Sequence, residues 1–299
     1  MATEIRTTAI HAVDAERPRD EELDLFGLTH TGNVRRNNQD HFLLATVHPQ
    51  VVLHGTSLPE AERMPMRGQR VATLMLVADG VGGTSGGAEA SQLAVEAIMN
   101  YVSGSLRCYH LAGGSHDGEF EEALRTAAFE AHAKVRAEAA THPDMQKMAT
   151  TLTIAIVTWP WVYVVQVGDS RCYRYVPGHM HQMTKDQTMA QALADQGVLP
   201  REKVTMSPLN NVLVSAIGGD TAEPEVIRFE IRDRDSVILL CTDGLTKHVS
   251  DDELADQIDR MTSSEQLCRD LLALVLERGG SDNVTIIAGR APRREAAGG

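Results

Sequence analysis

The sequence predicts an α+β sandwich with helices packed outside β-sheets. Three observations lead there. Runs rich in β-branched and aliphatic residues come in antiparallel-style clusters separated by short turns. Helical periodicity is confined to two pairs of segments. The strict strand–helix alternation of a doubly wound parallel sheet is missing.

The elements follow in order. Residues 23–29 (LDLFGLT) and 40–47 (DHFLLATV) read as strands. Residues 71–78 (VATLMLVA) are a longer apolar run that stops at Asp79-Gly80. Residues 88–102 put Leu93, Ala97, Ile98 and Tyr101 on one helical face, and residues 119–138 do the same with Phe120, Leu124, Ala131 and Val135. TTLTIAIVT (150–158) and WVYVVQVG (161–168) are β-rich and meet at Trp159-Pro160, which predicts a hairpin. RCYRYV, HMHQM, VIRFEI, SVILLCT and VTIIAGR continue the β signal. Ser250 with Glu253 spells a capping box ahead of LADQI. A last helix over 264–278 ends at Gly279, a common helix stop.

Composition sets the bounds. The 299 residues are 42% hydrophobic and 23% charged, enough to bury a full core without staples. There is no internal repeat and no long Pro/Gly/Ser linker. One domain is expected over 22–290, between flexible tails at 1–21 and 291–299. Lys+Arg is 28 against Asp+Glu 41, a formal net charge of −13. Attraction to nucleic acid or to an anionic membrane surface is thereby disfavoured. The four cysteines include no CxxC pair, which argues against a zinc ribbon or a thioredoxin-like site and fits a reducing compartment. The N-terminus lacks a signal-peptide pattern, and no segment approaches the ~18 apolar residues of a membrane span. The expectation is a cytoplasmic chain.

Chemistry concentrates where strands meet turns. Asp79 follows LMLVA, Asp169 follows VYVVQV, Asp243 follows SVILLCT, Asp282 precedes VTIIAG and Asp40 precedes HFLLATV. A lone Asp at a strand end is ordinary turn chemistry. Five of them, three touching Gly, are not, because Gly lets the backbone approach a ligand and adds its carbonyl to the carboxylates. Oxygen ligands without Cys or His clusters point to Mg²⁺ or Mn²⁺ rather than zinc. Carboxylates gathered in one place need such ions, since bare ones raise each other's pKa. Other phosphate chemistries lack their signatures. There is no GxxxxGK[ST] loop and no GxSxG elbow, no Cys sits in a cysteine-phosphatase loop, and Ser85 breaks GxGxxG in DGVGGTSGG.

In order, GNVRRNNQD, LVADGVGG, MATTLTIA, VGDSRCYRY, LLCTDGLT and GGSDNVTII span residues 25–290. Together they resemble the metal-dependent Ser/Thr protein phosphatases of type 2C, in particular compact bacterial members. The resemblance implies two antiparallel β-sheets packed as a sandwich, with helix pairs on the outer faces. It implies hydrolysis of phosphoserine and phosphothreonine by direct attack of a metal-bridging hydroxide, with two Mn²⁺ or Mg²⁺ ions and, in some members, a third. Asp79 resembles the carboxylate that bridges both ions, with the Gly80 carbonyl on the second. Asp243 and Asp282 resemble ligands of the first ion, and Asp40 the acidic residue of the second site. Asp169, with Asp243, resembles the place of the weaker third ion. Arg35 resembles the Arg that holds the phosphate; with Asp79 it makes the catalytic pair. Thr150 and Thr151 match a Thr pair read here as structural. The stretch 184–211 resembles a flap beside the active site. The implied partners are phosphorylated proteins, targets of a Ser/Thr kinase encoded separately, and the implied state is a monomer.

The chain departs from the pattern in places. Val81 stands where many relatives carry a His proposed to protonate the leaving group, so no general acid is assigned. Ser215 stands at the Arg of the family's "RALG" turn, here SAIGG. Residues 48–70 make a longer connection than usual. Two other readings stay open: an inactive phosphoprotein-binding scaffold, and a hydrolase of small phosphoesters or phosphodiesters. Plainer readings stand beside the site residues: Arg35, next to Arg36, as a solvated charge; Asp169 as a turn cap. His179 and His181 read as a solvated strand face, and the methionines at 183, 189 and 206 as filler around the flap.

Overall fold

The computed structural model describes residues 17–57, 65–81, 86–111, 117–143 and 145–293, with backbone only at 105–111 and 117. Two five-stranded antiparallel sheets face each other. The first runs β1 (Asp24–His30), β12 (Val284–Arg290), β11 (Val237–Cys241), β8 (Arg171–Val176) and β9 (His179–Gln182). The second runs β10 (Glu225–Glu230), β7 (Trp161–Val167), β6 (Leu152–Thr158), β3 (Ala72–Ala78) and β2 (His41–Val47). A short ribbon pairs β4 (Gly80–Val81) with β5 (Ala149–Thr150).

Helices α1 (Gly86–Leu111) and α2 (Asp117–Thr141) cover the second sheet, and α5 (Asp251–Asp259) and α6 (Ser264–Glu277) cover the first. The pleat of β3 shows how the layers are filled. Leu74 and Leu76 join the helix-facing core, while Met75 and Val77 join Ile238, Leu240 and Ile287 between the sheets. A strand buried on both faces has no polar side to alternate, hence the unbroken run VATLMLVA.

The expected helices form, with one refinement. On α1 the most deeply buried stripe is Ala90, Ala94, Ile98 and Val102, at i, i+4, i+8 and i+12. Leu93, Ala97 and Tyr101 are only half-buried beside it. Small alanines let the helix settle close to the sheet. The capping box at α5 is present: the Glu253 amide donates to Ser250 Oγ, and the Ser250 amide donates back to Glu253 Oε2 at 3.0 Å.

Thr151 divides the run TTLTIAIVT. Ala149 and Thr150 pair with β4, and pairing with β3 and β7 starts beyond Thr151. The backbone of Asp79 imposes this jog: its carbonyl accepts from both the Thr151 amide and Thr150 Oγ1 at 2.9 Å.

Residues 184–211 hold α3 (Met189–Asp195) and two 3-10 turns, around a small core of Ala190, Ala194 and Val204. Met183 packs between the sheets, while Met189 and Met206 are exposed. In the long connection Gln50 pairs with Arg67; residues 58–64 lie outside the described residues. The expected tails also lie largely outside them, apart from 17–21 and 291–293.

The register gathers one end of the sandwich. His41 pairs with Ala78, so Asp40 and Asp79 flank the same rung. Arg171 pairs with Cys241, and Cys241 with Ile286, so the β7–β8 turn, the end of β11 and the start of β12 meet beside them.

Candidate active site

Five separate segments bring Asp40, Asp79, Asp169, Asp243 and Asp282 to that end. Asp79, Gly80, Val81, Asp169, Asp243 and Asp282 line one cleft of about 800 Å³, with Arg35 and Lys247 in its wall. Asp40 lies behind it, 3% exposed. Among the described residues, no three acidic, His or Cys side chains close into a single ligand shell. What the carboxylates share is the cleft, each other's field, and two cations set between them.

Each segment holds its Asp by local chemistry. Asp40 Oδ2 accepts from Thr242 Oγ1 at 2.9 Å and Thr285 Oγ1 at 2.7 Å, while Oδ1 is buried without a hydrogen-bond partner. The Asp79 amide donates to Thr151 Oγ1 at 2.9 Å. Gly80 follows because a Cβ there would come within 2.2 Å of the Gly87 carbonyl oxygen and 2.6 Å of that of Gln39. Gly168, at φ +103°, turns the chain so that Asp169 enters the cleft. Asp243 opens the four-residue helix α4 (Asp243–Thr246), and its Oδ1 is also buried without a partner. Asn283, next to Asp282, staples the loop before β2: its Nδ2 donates to the carbonyls of Thr31 and Asn37, and its Oδ1 accepts from the Gln39 amide.

The electrostatics follow from burial. Desolvation first, then the charges of Asp40, Asp243, Asp169 and Asp282, push the Asp79 carboxyl well above the usual range. Burial pushes Asp40 up to about 7, against the two threonine hydrogen bonds that favour its ionised form. Burial, with Asp243 and Asp186, pushes Asp169 up to about 8, while Lys247 pulls it back. At Asp282 burial is outweighed by the hydrogen bonds from Arg35 and Lys247, which hold it below the usual range.

Both cations bind these carboxylates. Arg35 grips Asp282 as a fork, Nε to Oδ1 at 2.7 Å and Nη2 to Oδ2 at 2.8 Å, and its side chain stays 54% exposed at the mouth. Lys247 Nζ lies 2.6 Å from Asp243 Oδ2 and 2.8 Å from Asp282 Oδ2.

The sequence reading missed Lys247, Thr242, Thr285 and Asn283. Thr242 and Asn283 flank Asp residues inside the motifs quoted above, and Lys247 stands four residues after Asp243, the spacing of a helical ion pair. Four other residues take structural or peripheral places. Ser215 is buried and its Oγ accepts from the Glu223 amide at 2.9 Å, tying a turn. Val81 stands 42% exposed at the cleft rim. His179 and His181 are exposed, as a solvated face requires.

Residues 66–277 match the family model described as Protein phosphatase 2C. The chain belongs to the protein phosphatase 2C family. It is 33% identical to the Ser/Thr protein phosphatase PstP of Mycobacterium tuberculosis over 216 residues, which are 72% of this chain and 40% of that protein. The chain thus matches about 40% of the length of that curated relative. A crystal structure of the M. tuberculosis phosphatase superposes with a TM-score of 0.71 at 27% identity, covering 91% of this chain and 99% of that one. The catalytic domain of PstP in complex with two manganese ions gives a TM-score of 0.68 at 26% identity, with the same coverage of both chains. The two sheets with outer helices are therefore the type 2C architecture expected from the sequence. No helix among the described residues is long and apolar enough to cross a membrane.

Proposed function

We propose that this chain is a metal-dependent protein phosphatase acting on phosphoserine and phosphothreonine, with Mn²⁺ or Mg²⁺. One observation carries the reading: four carboxylates from separate segments line one cleft with Asp40 behind it, and the Asp40 and Asp243 Oδ1 atoms are buried with no donor. A buried carboxylate oxygen without a partner is costly unless a cation answers it. The donor set is all oxygen, which fits a hard divalent ion. In this reading Asp79, Asp243 and Asp282, with Asp40 and the Gly80 carbonyl, hold two ions. Bound there, the ions supply Lewis-acid polarisation of a phosphoryl oxygen and a water acidic enough to attack phosphorus.

The chain's own groups do the rest. Arg35 holds non-bridging phosphate oxygens at the mouth, where its guanidinium is anchored by Asp282 but still open to solvent. Thr242 and Thr285 keep the Asp40 carboxylate turned. Thr150 and Thr151 fix the backbone of Asp79. Val81 offers the leaving oxygen no proton. Residues 22–290 form one catalytic domain, with 184–211 as a flap beside the cleft. The substrates are phosphoproteins of the cytoplasm, made by a separate kinase, and the chain acts as a monomer.

The test is phosphate release from a phosphothreonine peptide beside a panel of small phosphoesters. EDTA should silence the enzyme and Mn²⁺ restore it. Arg35→Ala should lower kcat/KM roughly 10- to 100-fold, the scale of one charge-assisted hydrogen bond. Turnover confined to the small phosphoesters, or no turnover with Mn²⁺, would overturn the reading.

A further inference from the structure

Lys247 is the cation that the motifs did not announce. It directly follows α4, and its amide donates to the Asp243 carbonyl at 2.9 Å, so one helical turn aims the side chain back over Asp243. The ammonium sits 2.6 Å from Asp243 Oδ2 and 2.8 Å from Asp282 Oδ2. On Asp243 this is the outer oxygen, since Oδ1 is buried and has no partner. Lys247 lines the catalytic cleft and also a neighbouring cleft of about 850 Å³ whose wall holds Arg171, Lys185 and Arg201 together with Asp186, Asp251 and Glu253. Arg171 there is paired with Asp186 at 2.7 Å and Lys185 with Asp195, so Lys247 is the cation that this side turns to the cleft carboxylates. Asp169, the remaining carboxylate there, feels Lys247 as an opposing positive charge.

We infer that Lys247 is a built-in monovalent cation at the Asp243 carboxylate, in the cleft that Asp169 also lines, so that this chain takes two divalent ions and no third. The inference rests on the phosphatase reading and narrows it. The ammonium answers the outer oxygen of Asp243 and leaves the inner one for an ion. A further divalent ion between Asp169 and Asp243 would stand beside a fixed positive charge, and like charges at such range repel strongly. Lys247 is thus a positioning residue: it acts through the carboxylates it holds and sets how many ions they accept.

The test reads binding rather than turnover. EDTA-stripped chain is titrated with Mn²⁺ by calorimetry, and free Mn²⁺ is counted by its electron paramagnetic resonance signal. Wild type should bind two ions. Lys247→Asp should bind a third, and the double change Lys247→Asp with Asp169→Asn should lose it again. Lys247→Gln keeps the length without the charge and should tighten Mn²⁺ binding at least tenfold. Three ions on wild type, or two on Lys247→Asp with an unchanged Kd for Lys247→Gln, would overturn the inference and leave the phosphatase reading standing. A wild-type chain that binds no Mn²⁺ would overturn both.

Discussion

The two ends of the sandwich handle buried charge in opposite ways. At the far end Arg70, 7% exposed, is fully answered: it donates to Asp20 Oδ1 at 2.6 Å and to the Pro18 carbonyl at 2.8 Å, and Arg17 donates to its own carbonyl. Close by, Arg290 pairs with Asp24 at 3.0 Å, and Arg234 with Glu22 at 3.2 Å. The cavity between them is small and mostly apolar, about 50 Å³. At the near end the cleft is about sixteen times larger by the same measure, and carboxylates outnumber cations. Two of their oxygens have no donor. Folding alone would favour the first arrangement at both ends, since satisfied polar groups stabilise and unsatisfied ones do not. On the proposed reading the near end departs from it because its partners arrive from outside the chain, the usual reason for a local rule to be broken at a site.

The sharpest way to break this contrast is to neutralise the near end. Asp79→Asn should lower kcat about 10³-fold or more, the equivalent of several kcal/mol of transition-state stabilisation supplied by metal ions. The same change removes a buried carboxyl crowded by four others, so the EDTA-treated variant should melt no lower than wild type. Steady-state rates on a phosphothreonine peptide and a thermal melt check both halves. A variant that lost activity only because it unfolded would show that Asp79 serves the fold.

A pH series sharpens the contrast next. Asp40 and Asp169 are raised to about 7 and about 8 in the folded protein, against an ordinary carboxyl near 4. Below about pH 4 both states hold these protons and nothing is lost. As pH rises from there the unfolded chain releases them first, while the folded chain keeps them. Without metal, stability therefore falls between about pH 4 and 8, by at most ~1.4 kcal/mol per pH unit for each proton. Asp169→Asn should flatten its share of that slope. Mn²⁺ needs the ionised carboxylates, so the stabilisation it confers should grow over the same range. Urea unfolding in EDTA and in Mn²⁺, from pH 5 to 8, decides it; parallel curves would place Asp40 outside the metal chemistry.

Much of this was legible in the sequence, for a physical reason. Three strands end at an Asp beside Gly and two begin just after an Asp, so the five carboxylates could be read one by one. Their meeting point could be reached only through the family pattern, because convergence depends on register such as His41 against Ala78. Other features depend on distant partners. The jog at Thr151 is set by Asp79, and Thr150 reaches that carbonyl from 71 residues away. The buried alanine stripe on α1 was overshadowed by Leu93 and Tyr101, since side-chain size draws the eye while close packing favours small residues. Lys247 at i+4 from Asp243 reads as an ordinary surface ion pair until Asp282 is seen to join it from the start of β12.

The smallest effect belongs to the far end, at the paired Arg70. Arg70→Met keeps most of the buried stem but removes the donors. Asp20 is half-open to water and retains Arg67 at 3.7 Å, so its charge is not stranded. The Pro18 carbonyl loses its Arg70 donor, and the packing of residues 17–22 against the sandwich loosens. The expected cost is about 2 kcal/mol of stability, in the range of a hydrogen bond to a charged group. It should appear as a lower urea midpoint at unchanged m. Because no part of the catalytic cleft touches Arg70, kcat per folded molecule should stay within about twofold, well under the 1.4 kcal/mol that a tenfold change represents. A tenfold fall in kcat at full folding would mean that the two ends are mechanically linked through β3, and that the far end's neat pairing also serves the chemistry.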